Sequence, residues 1–165
     1  MIITFFLCYL ESKKPIFVQK RVGKKLKPFY LYKFRTLKLD TPSLSTHLIN
    51  IESVTKFGKF IRSLKIDELP QLVNVIKGEM SLVGPRPCLY NQKKLIYERK
   101  KNNVFSVKPG ITGLAQIKGV DMSKPEYLSI LDKQMVSNLN SRKYFTYLLL
   151  TMFGKGIGDR LNLSK

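Results

Sequence analysis

Residues 61–88 read IRSLKIDELPQLVNVIKGEMSLVGPRPC, and the rest of the chain is legible outward from them. They hold the only adjacent carboxylate pair of the protein, Asp67–Glu68, five residues after Arg62. Pro70 suits the first turn of a helix, where a missing N–H costs nothing, so a helix is expected to start near Asp67–Leu69. The apolar run Leu69, Leu72, Val73 and Ile76 has helical spacing. Gly78 closes it, and Gly84-Pro85-Arg86-Pro87 follows as a stiff loop. Unpaired N–H groups and partial positive charge at a helix start keep carboxylates ionised. Such groups are poor general acids but serve as metal ligands or anionic nucleophiles. The plainer alternative is that Asp67 only caps the helix. In the loop, each proline restricts the residue before it. Arg86 therefore sits on a stiff backbone, where its guanidinium can grip a phosphate through two donors. An ordinary arginine in a rigid surface turn is the alternative.

The setting of these residues is strongly basic. Thirty Lys and Arg against eleven Asp and Glu give a net charge of +19, which implies a polyanionic partner: nucleic acid, an anionic membrane surface or a phosphorylated substrate. A length of 165 residues suffices for one domain with a real core. Cys8 and Cys88 form no metal or disulfide pattern, so a reducing compartment fits. The single histidine, His47, falls in a polar loop, which argues against a histidine triad or a zinc site.

Upstream, residues 1–10, MIITFFLCYL, are uninterruptedly apolar but reach only about half of the roughly 20 residues of a membrane span. A buried strand, a short core helix and a segment dipping into one leaflet all fit. Residues 12–39 carry ten Lys or Arg and no acid. Ile16–Val18 and Phe29–Tyr32 read as two short strands joined by a turn over 22–27. Period-two alternation puts Lys33 and Arg35 on one side and Phe34 on the other. Two cations on one face suit phosphate, although a solvated basic edge strand is common. Residues 40–54 read as a polar loop. Residues 55–65 read as an amphipathic helix with Phe57, Phe60, Ile61 and Leu64 on its apolar side, and Arg62 is close enough to Asp67 to share a site.

Downstream, residues 91–108 read as a polar, basic helix and loop. In KPGITGLAQIKGVDMSKPE, Gly110, Gly113 and Gly119 punctuate a compact loop that can offer backbone N–H groups to an anion. Ser123 and Glu126 form a capping box for a helix over about 124–138. A last, largely apolar helix is expected over about 141–153, ending at Gly154 before a flexible basic tail.

Taken together, PIFVQKRVG, FYLYKFRTL, FGKFIRSLKIDELPQLVNVIKGEMSLVGPRP and KPGITGLAQIKG, in this order, closely resemble the bacterial sugar transferase family, the monotopic phosphoglycosyl transferases. The resemblance runs from about residue 15 to at least residue 135. It implies transfer of a sugar-1-phosphate from a UDP-sugar to polyprenyl (undecaprenyl) phosphate at the cytoplasmic face of the bacterial inner membrane. UMP is released, and O-antigen, capsule or glycan assembly begins. The endings YFTYLLLTMFGKGIGDR and GVDMSKPE look like a subgroup acting on amino sugars. The resemblance assigns Asp67 as a covalent nucleophile, Glu68 with Asp67 as holders of Mg²⁺, and Arg62 and Arg86 as phosphate binders. Lys33 and Arg35 join them as fixed positive charge.

Three departures accompany the resemblance, one of them Gly119-Val120-Asp121 in place of the family's usual Gly-Arg-Asn. The Ser-Pro bend of the family's re-entrant membrane hairpin would fall just before Met1. Residues 1–11 are therefore expected to be a partial membrane segment, and 12–165 the catalytic domain. An Asp found in the final segment of many relatives is replaced near Tyr144. The expected fold is α+β: mostly helical, one domain, with a small N-terminal β-hairpin and a partial membrane-associated N-terminal helix. Anionic inner-membrane lipid is the expected surface, and nucleic acid is not expected. A basic RNA-binding module and a truncated, non-catalytic relative are the competing readings. The first lacks an aromatic stacking platform.

Overall fold

The basic stretch after residue 12 folds as the hairpin that its alternation announces. In the computed structural model, which describes residues 1–41 and 50–154, β1 (Ile16–Val22) pairs antiparallel with β2 (Pro28–Phe34). The register runs from Ile16 opposite Phe34 to Val22 opposite Pro28. His47, most of the polar loop and the tail beyond Gly154 lie outside the described residues. The strands extend past the apolar runs because pairing satisfies backbone groups whatever the side chain. Period two then sorts the side chains. Phe29, Leu31 and Lys33 are buried together, and so are Gln19 and Arg21 of β1. The solvated-edge reading therefore fails for Lys33.

The N-terminal residues form a helix, α1 (Ile2–Ser12), which stops at Lys13 in a left-handed conformation. Only one side is anchored. Cys8 is fully buried with Phe34 and Ile61, while Ile3, Phe5, Phe6, Tyr9 and Leu10 are exposed. No described helix is long and apolar enough to cross a membrane. The helix expected over 55–65 is α2 (Lys56–Ser63), and the Thr55 hydroxyl accepts from Gly58 N–H at 2.9 Å, a cap of ordinary geometry. Gly58 is required there, since an added Cβ would lie 2.4 Å from the Thr36 carbonyl oxygen. Of the apolar stripe only Ile61 is buried; Phe60 and Leu64 are exposed.

The segment after the acid pair departs most from expectation. A 3-10 turn spans Ile66–Glu68, Pro70 follows, and α3 begins only at Gln71 (Gln71–Ile76). Asp67 does not cap it, because the capping position belongs to Pro70. The helix is also inside out. Its buried residues are Gln71 and Asn74, whereas Leu72, Val73 and Ile76 are exposed, Ile76 at 86%. The Asn74 amide explains the orientation. It accepts from Tyr32 N–H at 3.2 Å and donates to the Tyr30 carbonyl and to Glu79 at 2.7 Å each. A fully buried amide without such partners would be costly.

The glycine-rich stretch is ordered as a short strand and a helical turn, with the Gly110 N–H taken up by the chain itself. β3 (Ser81–Val83) pairs parallel with β4 (Gly110–Thr112), and Gly110 N–H donates to the Pro85 carbonyl at 2.9 Å. A Cβ on Gly110 would lie 2.0 Å from Gly84 N, so the two backbones touch and admit no side chain. The remaining elements are α4 (Lys93–Lys101), α5 (Leu114–Ile117), α6 (Pro125–Asn138) and α7 (Ser141–Met152). The capping box is not formed. The Ser123 hydroxyl donates to Asp121, and Glu126 pairs with Lys94. Asn140 caps α7 through Lys143 N–H, and none of that helix's residues is fully buried. The largest apolar cluster joins Val22, Cys88, Leu95, Ala115, Leu128 and Leu131. The architecture is the α+β arrangement expected, with helices outweighing two small sheets. The second sheet was not expected.

Candidate active site

The acid pair owes its position to a reversal of the chain after α2. Lys65 adopts the left-handed region at φ 59°, which turns the backbone into the 3-10 turn carrying Asp67 and Glu68. Both carboxylates end up buried, at 2% and 5% exposure. Burial of two like charges needs compensation, and the surrounding elements supply it. From β2, Lys33 Nζ donates to Glu68 Oε1 at 3.3 Å. From the proline-flanked loop, Arg86 donates to the same oxygen at 2.8 Å. From α2, buried Arg62 donates through Nε to the Thr36 hydroxyl at 2.7 Å.

Gln71 and Arg21 line a small cavity together with Lys33 and Arg86, the two cations bonded to Glu68. The Asp67 charge reaches Cys8 of α1, whose thiol is pushed up to about 11 by burial first, then by Glu11 and Asp67.

Of the six residues singled out from sequence, five meet in this region. Lys33, Arg86 and Glu68 form one bonded cluster, with Asp67 beside Glu68 and Arg62 on the adjoining helix. Arg35 is used elsewhere. It donates to the Lys14 carbonyl at 2.8 Å, and its guanidinium lies over the Phe17 ring. β2 ends at Phe34, so the alternation that would have kept Arg35 with Lys33 does not continue.

Two cations thus bond Glu68, and Arg62 sits on the helix packed against the acid turn, a concentration of positive charge suited to phosphate. No cluster of three or more His, Cys, Asp or Glu able to hold a metal exists among the described residues. The oxygen-only pair Asp67–Glu68 nevertheless fits Mg²⁺, which takes one or two carboxylates and completes its shell with phosphate oxygens and water.

Sequence reasoning passed over Arg21, Gln71 and the pair Arg99–Asp132. Arg21, Asp132 and Arg99 each carried a signal. Arg21 lies on the inward phase of β1, opposite Phe29. Asp132 shares the helical stripe of Leu128, Leu131 and Met135, and Arg99 follows Leu95 by one turn.

A model of the family described as bacterial sugar transferase matches residues 1–155. The chain belongs to the bacterial sugar transferase family. It is 45% identical over 139 residues to the uncharacterized sugar transferase EpsL of Bacillus subtilis, which covers 84% of this chain and 68% of that protein. Over 125 residues it is 41% identical to the UDP-N-acetylgalactosamine-undecaprenyl-phosphate N-acetylgalactosaminephosphotransferase of Aeromonas hydrophila, covering 71% and 29% of the two chains. It is 39% identical over 124 residues to the UDP-glucose:undecaprenyl-phosphate glucose-1-phosphate transferase of Xanthomonas campestris pv. campestris, covering 71% and 25%. The chain therefore spans 68% of the length of the first relative but only 29% and 25% of the other two. In this bacterial sugar transferase the acid pair and its three cations all lie within the matched residues.

Proposed function

We propose that the chain is a phosphoglycosyl transferase. It moves a sugar-1-phosphate from a UDP-sugar to a polyprenyl phosphate of the undecaprenyl type through a covalent intermediate on Asp67, and so begins surface polysaccharide assembly. The observation that carries this reading is the buried Asp67–Glu68 turn walled by Lys33, Arg62 and Arg86. An N-acetylated amino sugar is the donor put first, in keeping with the sugar named for the Aeromonas relative.

In the first step a carboxylate oxygen of Asp67 attacks the sugar-bearing phosphorus. The bond to the bridging oxygen breaks and UMP leaves. In the second step a phosphate oxygen of the polyprenyl phosphate attacks the same phosphorus, and Asp67 is released as carboxylate. Splitting the transfer lets a water-soluble donor and a lipid acceptor use one site in turn. Arg62, Arg86 and Lys33 neutralise phosphate oxygens that would otherwise repel an anionic nucleophile. Glu68 keeps Lys33 and Arg86 aimed into the site. Asp67 and Glu68 would hold Mg²⁺, which supplies charge neutralisation on the phosphates when bound.

We assign the positive charge to these phosphates and to the anionic cytoplasmic face of the inner membrane rather than to nucleic acid. The exposed apolar side of α1 and the outward apolar side of α3 support membrane association, with residues 1–11 as the membrane-contacting segment and 12–165 as the catalytic domain. The test uses donor labelled in the sugar-phosphate, without acceptor. The wild-type chain is expected to trap label on Asp67 and release UMP, and Asp67→Asn to trap none. Trapping by that variant at the wild-type level would sink the nucleophile assignment.

A further inference from the structure

The loop carrying Arg86 can be held only in an unusual way. Pro85 and Pro87 have no N–H, so the backbone on either side of Arg86 offers mainly carbonyls to its surroundings. Four consecutive carbonyls are each taken by a different donor. The Pro85 oxygen accepts from Gly110 N–H at 2.9 Å, and the Cys88 oxygen from Val22 N–H at 3.0 Å. The Pro87 oxygen accepts from Arg21 at 2.9 Å. The Arg86 oxygen itself accepts from Arg99 Nη1 at 2.7 Å. Arg99 is fixed from behind, because its Nε and Nη2 both donate to Asp132 Oδ2, at 2.9 and 2.6 Å. Arg99 and Asp132 are 2% and 1% exposed.

A buried ion pair is seldom the most stable filling for such a space; well-packed apolar residues often do as well or better. Packing alone therefore does not call for Arg99 and Asp132. What an apolar pair could not supply is the third bond of the guanidinium, the one to the Arg86 carbonyl. That bond ties α4 and α6 to the backbone of the residue whose side chain grips Glu68.

We propose that Arg99, oriented by Asp132, is a positioning residue for the reaction: it holds the Arg86 backbone, and through it aims the Arg86 guanidinium at Glu68 and the substrate phosphates. The proposal rests on the function assigned above for its kinetic part only.

The experiment uses the full chain in lipid nanodiscs, with the paired substitution Arg99→Met and Asp132→Leu, which keeps volume and removes both charges. Thermal unfolding should stay near the wild-type midpoint. With a UDP-sugar and polyprenyl phosphate, kcat should fall by about 10- to 100-fold, the scale of a displacement on the order of 1 Å at a reacting group. In an Arg86→Ala background the same pair should cost less than about twofold more, because residues acting through one side chain are not additive. An NMR readout on the arginine side chains is independent of turnover. The Arg86 guanidinium, slow to rotate in the wild type through its bond to Glu68, should become mobile in the paired variant while Arg62 does not change. Full kcat in the paired variant, an equal loss with and without Arg86, or an immobile Arg86 guanidinium would each overturn the proposal. If the wild type transfers no sugar phosphate while Arg86 is still loosened, the functional assignment fails and the positioning role stands.

Discussion

Two carboxylate–guanidinium pairs lie within one loop of each other, and they are built for different ends. Asp132–Arg99 is sealed: both side chains are 2% exposed or less, and one carboxylate oxygen takes two donors of one guanidinium. Glu68–Arg86 is open on one side. Its arginine is 19% exposed, reaches Glu68 at 2.8 Å, and shares the acceptor oxygen with Lys33. The sealed pair has no way to exchange partners short of unfolding. The open pair's guanidinium reaches solvent while Lys33 lies on the same Glu68 oxygen. Burial depth and the number of competing donors, more than the chemical type of the pair, separate a fixture from a working group.

The largest effect expected from this contrast is on stability. Asp132→Asn leaves Arg99 charged in a dry interior and is expected to cost about 3–5 kcal/mol. Chemical denaturation should show this clearly, whereas Glu68→Gln, whose Arg86 partner is 19% exposed and can turn to solvent, should unfold nearer the wild type. Equal losses in the two variants would erase the distinction between the pairs.

On the open side, Arg86→Lys exchanges a planar fork for a point charge. A charge-assisted bond contributes about 1.5–3 kcal/mol, so kcat/KM for the donor should drop roughly tenfold to a hundredfold. Steady-state kinetics with unchanged constants would mean that Arg86 does not touch substrate.

Proton linkage sharpens the placement of Asp67. Because the Cys8 thiol titrates near 11 in the fold against an ordinary value of 9.0, the neutral thiol contributes stability that is complete below 9. That contribution is lost as pH rises through about 11. Thermal midpoints should therefore decline over this window, and Cys8→Ala should flatten the decline. Removing the neighbouring charge with Asp67→Asn should lower the thiol's pKa and speed its alkylation at pH 9; an unchanged rate would move Asp67 away from Cys8.

The smallest effect is reserved for the outward face of α3. Ile76→Ser, at a position 86% exposed, should change unfolding free energy by less than about 0.5 kcal/mol. The same variant should weaken flotation with anionic vesicles, and undiminished flotation would remove α3 from the membrane-facing surface.

α3 also shows where reading a sequence stops. Its apolar spacing identified a helix in nearly the right place, but the buried side is the one carrying Gln71 and Asn74. Periodicity reports that two faces differ. Which face turns inward depends on partners remote in sequence: here the β2 backbone and the charged cluster around Glu68. The hairpin, α2, α6 and α7 were legible because their patterns are long and local. β3 and β4 were not, being three residues each and joined by a backbone contact at Gly84 and Gly110 that leaves no apolar trace. In the site, Lys33, Arg62, Asp67, Glu68 and Arg86 stood out as charged residues near one motif. Arg99 and Asp132 were hidden in stripes that otherwise looked like core.

The amide of Asn74 has a consequence outside catalysis. β2 pairs with β1 on one side only, and an uncovered strand edge is a template on which another chain can grow. By accepting from Tyr32 N–H and donating to the Tyr30 carbonyl, the Asn74 side chain imitates the next strand at the point where that strand would dock. A single carboxamide thus terminates the sheet. Edge-to-edge pairing of the hairpin is opposed by the same helix that follows the acid pair.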